Sequence, residues 1–426
     1  MYNVKSIAII GAGITGITTA YALLNRGYQV TVYDRDRYAA MQTSFANGGQ
    51  LSASNAEVWN QKSTILKGMK WMFKKDAPLL VNPRPDWHKL SWMTEFVSNI
   101  PKYEENTVET VRLALAAREH LFAWAEKENI EFDLETRGIM HVYANKESFD
   151  HATRVNMLLK SGGLLRELLS PERMREIEPA LVGNFVGGYF TPSDSTGDIH
   201  KYTRGLADAC ARLGADFIYD AQVENLEQDN HGVHVHFKPG AGRTSPIVEV
   251  AEGRQLRERH SHSAVVICAG TQSRHFAAQL GDRVNVYPVK GYSVTIPLKD
   301  ETSQAHAPWV SLLDDDAKVV TSRLGPDRFR IAGTAEFNGY NLDIRSDRID
   351  PLITWCRSYF PGIDTEHVVA WAGLRPMMPN MLPRVGAGNR AGVFYNTGHG
   401  HLGWTLAAAT AELVGEAIKS SIAVTQ

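Results

Sequence analysis

The stretches Ile7–Ile10, Val30–Tyr33 and Ala264–Cys268 are apolar or β-branched almost throughout and are flanked by turn residues. Runs this short and this apolar predict fully buried strands rather than helices. Between the first two, Ile17–Asn25 reads as a helix that closes at the turn Arg26-Gly27-Tyr28. A longer helical pattern spans Thr107–Asn129, where Val111, Leu115, Leu121, Trp124 and Ala125 recur near the helical period. Further helices are expected from Pro171, over Tyr202–Leu213 with Asp198 placed as its cap, over Arg348–Tyr359 and over Gly403–Ile418. From Val284 to Val368 the period drops to two, as in Tyr292-Ser293-Val294-Thr295-Ile296 and Arg328-Phe329-Arg330-Ile331-Ala332, which predicts a separate antiparallel sheet.

Between the first strand and the first helix stands Ile10-Gly11-Ala12-Gly13-Ile14-Thr15-Gly16, and the second strand ends on Asp34-Arg35. Strand, GxGxxG, helix, strand and acid in that order make a dinucleotide-binding βαβ unit. Gly11 permits the tight turn, Gly13 lets a backbone approach a pyrophosphate, and Gly16 lets the helix pack close to the sheet. Asp34 accepts hydrogen bonds from ribose hydroxyls and disfavours a 2′-phosphate, so FAD or NAD is expected and NADP is not. A second such unit is absent from the sequence, because Gly240-Ala241-Gly242 and Gly386-Ala387-Gly388 lack the flanking strand and helix. One dinucleotide site, in a chain that closes as strand Gly392–Asn396, loop Thr397-Gly398-His399-Gly400 and a helix, favours an FAD reduced directly by the substrate.

The polar loop carrying Ser44, Ala46, Asn47, Gly48, Gly49 and Gln50 is placed to cross that cofactor. Val223 should pass its adenine end, and Ala269-Gly270 should meet it again at the end of the third strand. Gly373, Gly398, His399, Gly400, Leu402 and Gly403 are expected around the flavin. There the positive end of the last helix would stabilise an anionic reduced ring. No cysteine or histidine stands in an attachment pattern, so the FAD is expected to be noncovalent. The fold expected is α/β. It has a Rossmann-like FAD-binding domain assembled from discontinuous segments, residues 1–57, 144–283 and 369–426, and an inserted antiparallel-sheet substrate domain from residues 58–143 and 284–368.

At 426 residues, 43% of them hydrophobic, the chain is long enough for two such domains. A net charge of −2 with no clustered lysine and arginine field argues against a nucleic-acid partner. Neither a secretory signal nor a run of about 18 apolar residues is read, so a cytoplasmic protein is expected, or one resting on the cytoplasmic face of the inner membrane. Cys210, Cys268 and Cys356 read as buried, reduced thiols. His231, His234, His236, His260 and His262 lack partner ligands at metal spacing and read as solvent-facing strand residues, so no metal is expected. Within Val58–Tyr103, Lys67, Lys70, Lys74 and Lys75 are interleaved with Trp71, Met72, Phe73, Trp87, Trp92 and Met93. That composition suits either a lid or a peripheral membrane contact at which a quinone could collect electrons.

The fingerprint, the Ser44–Gln50 loop, Ala269-Gly270, Gly373-Leu374-Arg375-Pro376 and Thr397-Gly398-His399-Gly400 together resemble the D-amino-acid oxidase superfamily. Lys70-Trp71-Met72-Phe73, Pro288-Val289-Lys290-Gly291-Tyr292-Ser293 and the stretch Asn396–Thr405 look like the bacterial D-amino acid dehydrogenase family within it. The resemblance implies FAD-dependent oxidation of an amino acid's Cα–N bond by hydride transfer from Cα to flavin N5. The resulting imine would be hydrolysed to a 2-oxo acid and ammonia, and the electrons passed to a respiratory carrier such as a quinone. It places the substrate carboxylate on Arg375, whose guanidinium can grip both oxygens. Tyr292 and Tyr287 are then candidates for closing the substrate pocket or donating to the carboxylate, Lys290 for sitting near the flavin and binding substrate, and His399 for touching flavin or substrate, with Arg375, Tyr292 and His399 as the catalytic candidates. Glycine, sarcosine, D-proline, hydroxyproline or an opine would suit the same fold, and a helper flavoprotein subunit of a hetero-oligomer is the reading from another class.

Overall fold

The computed structural model describes residues 6–71, 78–240 and 258–423. Its first sheet has six strands, in the order Arg384–Ala387, Val393–Thr397, Ala264–Ile267, Ser6–Ile10, Gln29–Tyr33 and Asp216–Ile218, all parallel except the first. Side chains alternate across a strand, and here both faces are covered. Ile7 and Ile9 pack with the helices Ile14–Leu24 and Gly403–Ala423, whereas Ala8 and Ile10 pack with Val233, Val235 and Phe237 of a three-stranded antiparallel sheet. Double coverage is why these strands read as uninterrupted apolar runs. The helix Ile199–Arg212 begins three residues earlier than the pattern suggests, and Asp198 caps it by accepting from the backbone N–H groups of His200 and Lys201.

The larger sheet holds nine strands. Along its main path Val369–Met377, Tyr287–Pro297, Arg328–Phe337, Val319–Arg323 and Ser311–Asp314 follow one another, then Ile139–Tyr143, Gly187–Thr191 and Glu167–Leu169. The helix Ser346–Tyr359 covers it, burying Leu352, Trp355 and Cys356 against Val294, Ile296, Phe329 and Ile331. Three strands lie where the segment boundaries did not put them. Glu167–Leu169, Gly187–Thr191 and Val369–Met377, expected with the nucleotide-binding segments, hydrogen-bond into this sheet instead. A strand's pattern records its burial and not its partner, and Ile139–Tyr143 and Tyr287–Pro297 offered the free edges. Conversely, the helix Tyr103–Glu128 packs Ala117, Leu121 and Trp124 into the core of the six-stranded sheet.

Two histidines also depart from expectation. His234 and His262 are buried rather than solvent-facing. His262 sits where the small sheet meets the parallel one, with Nδ1 2.8 Å from Ser6 Oγ and Nε2 2.8 Å from Tyr33 Oη. His234 is satisfied by Ser261 and Asp229. Among the described residues no group of three or more His, Cys, Asp or Glu could hold a metal ion. The three cysteines are buried and unpaired. In the inserted segment, the strand Leu79–Val81 pairs with Ala335–Phe337, and Trp92 is buried, donating from its indole to Met377 O at 2.8 Å. Trp87 is exposed. The side chains of Lys67, Lys70, Trp71, Met72, Phe73, Lys74 and Lys75 lie outside the described residues, and no described helix is long and apolar enough to cross a membrane.

Candidate active site

Three glycines of the fingerprint are required for three different reasons. Gly11 has φ +107°, and a Cβ there would stand 2.7 Å from Cys268 O. On Gly16 a Cβ would stand 1.8 Å from Gly11 O, so the helix could not approach the turn. Gly13 differs: a Cβ would meet only Ser44 Oγ, at an ordinary 3.6 Å. Nothing inside the protein demands glycine there, and its bare face looks into a cavity. The helix Ile14–Leu24 starts at that point with no acidic residue in its first turn and no side-chain cap from Gly13, which leaves donors and a positive dipole end for an anion. Asp34 accepts from the backbone N–H groups of Ala12 at 2.5 Å and Asp36 at 2.8 Å. Burial pushes its carboxyl up to about 6, and donors such as ribose hydroxyls would favour the ionised form.

A single cavity of about 1990 Å³ runs from this turn across the ends of the strands to the larger sheet. One drug-sized ligand needs roughly 300–1,000 Å³, so the space suits a dinucleotide together with a substrate. Of the residues expected on the cofactor, all line it except Ala12 and Gly16, which shape the turn from behind. The loop that crosses the cavity is pinned to the larger sheet. Ser293 Oγ donates to Ala46 O at 2.7 Å, Ser322 Oγ donates to Gly48 O at 2.6 Å, and Gly49 takes φ +74°. With the anion-ready helix end, the bare Gly13 and Asp34, these residues fit FAD.

At the far end lies Arg375. Its Nη1 donates to Thr334 O at 2.9 Å, and no carboxylate pairs with it among the described residues. The residue is half-buried, and a desolvated guanidinium without an anion is costly; desolvation alone pulls its pKa down to about 10. His399 is buried with Nε2 2.9 Å from Thr410 Oγ1, and burial holds it at about 3. His401 stacks on Trp59, with ring centroids 4.9 Å apart, and is held at about 4 by burial and by the Arg375 charge. Both rings are therefore neutral near pH 7. Tyr292 lines the cavity while its hydroxyl donates to Glu336 Oε2 at 2.6 Å.

Two sequence candidates are not on the wall. Lys290 is fully buried, its ammonium 3.2 Å from Glu336 Oε2, and Tyr287 packs beneath the strand, stacked on Phe337. Both alternate positions of the strand Tyr287–Pro297 are buried, so period-two alternation could not tell which of them faces the cavity. Sequence reasoning missed Trp59, His401, Trp371, Tyr340 and Leu342, all on the cavity wall. For His401 a signal existed, since it stands two residues from His399 at the start of the last helix. Trp59, Tyr340 and Leu342 come from loops whose direction no local pattern records, and Trp371 from the strand Val369–Met377, whose pairing the sequence did not show.

A parallel sheet with a nucleotide turn, joined by one cavity to a mostly antiparallel sheet that presents a half-buried guanidinium with no described carboxylate partner, defines a flavin-dependent oxidoreductase. The chain belongs to the family described as "FAD dependent oxidoreductase", which it matches over residues 6–417. It is similar to D-amino acid dehydrogenase 3 of Mesorhizobium japonicum, 59% identical across 98% of both chains. It is also similar to a D-amino acid dehydrogenase of Dechloromonas aromatica, 38% identical over 97% of this chain and 96% of that one. Among solved structures, glycine oxidase from Geobacillus kaustophilus superposes with a TM-score of 0.75 at 20% identity, covering 97% of this chain and 94% of that one. L-proline dehydrogenase from P. horikoshii gives 0.72 at 17%, covering 98% and 93%. At those identities the two structures establish the fold alone.

Proposed function

We propose that the chain oxidises D-amino acids to 2-oxo acids and ammonia. The observation that carries this reading is Arg375: a half-buried guanidinium, free of any described carboxylate, on the wall of a cavity that also holds the nucleotide turn. A substrate carboxylate supplies the missing anion through two parallel hydrogen bonds, and the Thr334 carbonyl holds one edge of the guanidinium in place. FAD, when bound noncovalently here, supplies the two-electron acceptor for the Cα hydride. The chain's own contribution is orientation, which can be worth many orders of magnitude in rate. His399 and His401 offer polar contacts without charge, so Arg375 remains the cation that selects the acid group. Names of relatives at 59% and 38% identity support the D-amino acid class. The electron acceptor in this reading is a respiratory carrier such as a quinone, met at the cytoplasmic face of the inner membrane.

Anaerobic mixing of the holoenzyme with a panel of D- and L-amino acids tests it. Bleaching of the flavin band by D-amino acids is expected. Bleaching by glycine, sarcosine or L-amino acids alone would refute it.

A further inference from the structure

The strand Arg328–Phe337 leads directly into a strap, residues 338–343, whose fastening explains three of the sequence candidates. Tyr287 Oη accepts from the backbone N–H of Gly339 at 3.2 Å. Lys290 Nζ donates to Asn341 Oδ1 at 2.8 Å and to Asp343 O at 3.0 Å, with Glu336 balancing its charge. Tyr292 Oη and Asn338 Nδ2 both donate to Glu336. From this base the strap reaches across to the other sheet, where Tyr340 Oη donates to Thr271 O at 3.2 Å, one residue beyond Gly270 of the cofactor cradle. Tyr340, Leu342 and Tyr292 line the cavity while Tyr287, Lys290, Glu336, Asn338, Asn341 and Asp343 lie behind it.

Arg375 bonds to Thr334 on the strand that continues into the strap, and Arg375, Tyr340 and Leu342 line the same cavity, so a substrate held there by its carboxylate shares that cavity with the strap. We infer that Tyr340 and Leu342 form the wall met by the substrate side chain, and that Lys290 is a positioning residue that fixes this wall through Asn341 and Asp343. The inference rests on the D-amino acid reading and names what sets side-chain size within it. A buried ammonium that touches no ligand and spends every donor on one loop and one carboxylate fits that role. Moving the loop moves the wall.

The test compares holoenzymes carrying Leu342→Ala, Tyr340→Phe, and the pair Lys290→Met with Glu336→Gln, the pair leaving no lone buried charge. Two quantities are read. The first is the kcat/KM ratio of D-phenylalanine to D-alanine, and the second is hydrogen exchange in residues 338–343, which needs no substrate. Leu342→Ala should shift the ratio toward the larger substrate by about tenfold or more. The Lys290/Glu336 pair should shift it the same way and raise strap exchange by at least about tenfold. If the pair does not fold, Tyr340→Phe carries the second half, since it removes only the bond to Thr271 and should also raise exchange. A ratio within about twofold of the parent in Leu342→Ala, or unaltered exchange in the clasp variants, overturns the inference. A parent enzyme bleached by no D-amino acid would instead overturn the functional reading, and the exchange result would still judge the clasp.

Discussion

The guanidinium of Arg375 lies flat over the bare Cα of Gly291: a Cβ built there would stand 2.3 Å from the guanidinium carbon. Gly291 pairs in register with Gly373, and Val289 pairs with Arg375 on the same two strands. Glycine is thus required where the Arg375 side chain rests, and the cause is that side chain itself. Arg375 is a flexible side chain, so Gly291→Ala should displace it rather than break the sheet. We expect FAD binding and the melting temperature to be nearly unchanged, and kcat/KM for a D-amino acid to fall by roughly 10- to 100-fold. Steady-state kinetics with a thermal melt checks this.

Gly13 and Gly16 should separate binding from folding. With only Ser44 nearby, Gly13→Ala should leave the apoprotein's stability close to the parent's but weaken FAD by at least about tenfold, because its methyl group enters the pyrophosphate's space. Gly16→Ala drives a Cβ into Gly11 O and should destabilise the apoprotein itself, by about 2 kcal/mol or more. FAD titration beside denaturant unfolding of each apoprotein distinguishes the two.

Much of this was legible in the sequence, for a physical reason. The six-stranded sheet is buried on both faces, so its strands announce themselves as apolar runs, and the turn residues between them are dictated by a ligand. The Gly-Leu-Arg-Pro setting led to the expectation of Arg375 at the substrate, and the residue lies on the cavity wall. What escaped was pairing and direction. Glu167–Leu169 and Gly187–Thr191 carry no mark of the sheet they join. Along Tyr287–Pro297, Lys290 and Tyr292 stand two residues apart and both bond Glu336, yet only Tyr292 reaches the cavity, because Lys290 is covered by Asn341 and Asp343. His234 and His262 look polar in the sequence and are buried because Ser261, Asp229, Ser6 and Tyr33 satisfy them.

Acid should weaken the fold partly through His262. Burial holds it down at about 4, whereas an unfolded imidazole titrates near ~6.5. Below the unfolded value the denatured chain binds a proton that the native state excludes, so this contribution is complete above about pH 6.5 and is lost as the pH falls toward 4. Urea unfolding of the holoenzyme at pH 7.5 and 5.0 should show His262→Gln losing about 1–2 kcal/mol less than the parent between the two. Equal losses would contradict the buried, neutral imidazole.

The claim on which the rest depends is that Arg375 holds the substrate's acid group. Arg375→Met keeps the side chain's bulk and removes its charge. Mixed anaerobically with a D-amino acid that bleaches the parent, the variant should retain FAD, yet be reduced at least about 100-fold more slowly at low substrate. Reduction at the parent's rate and apparent affinity would show that the carboxylate is held elsewhere.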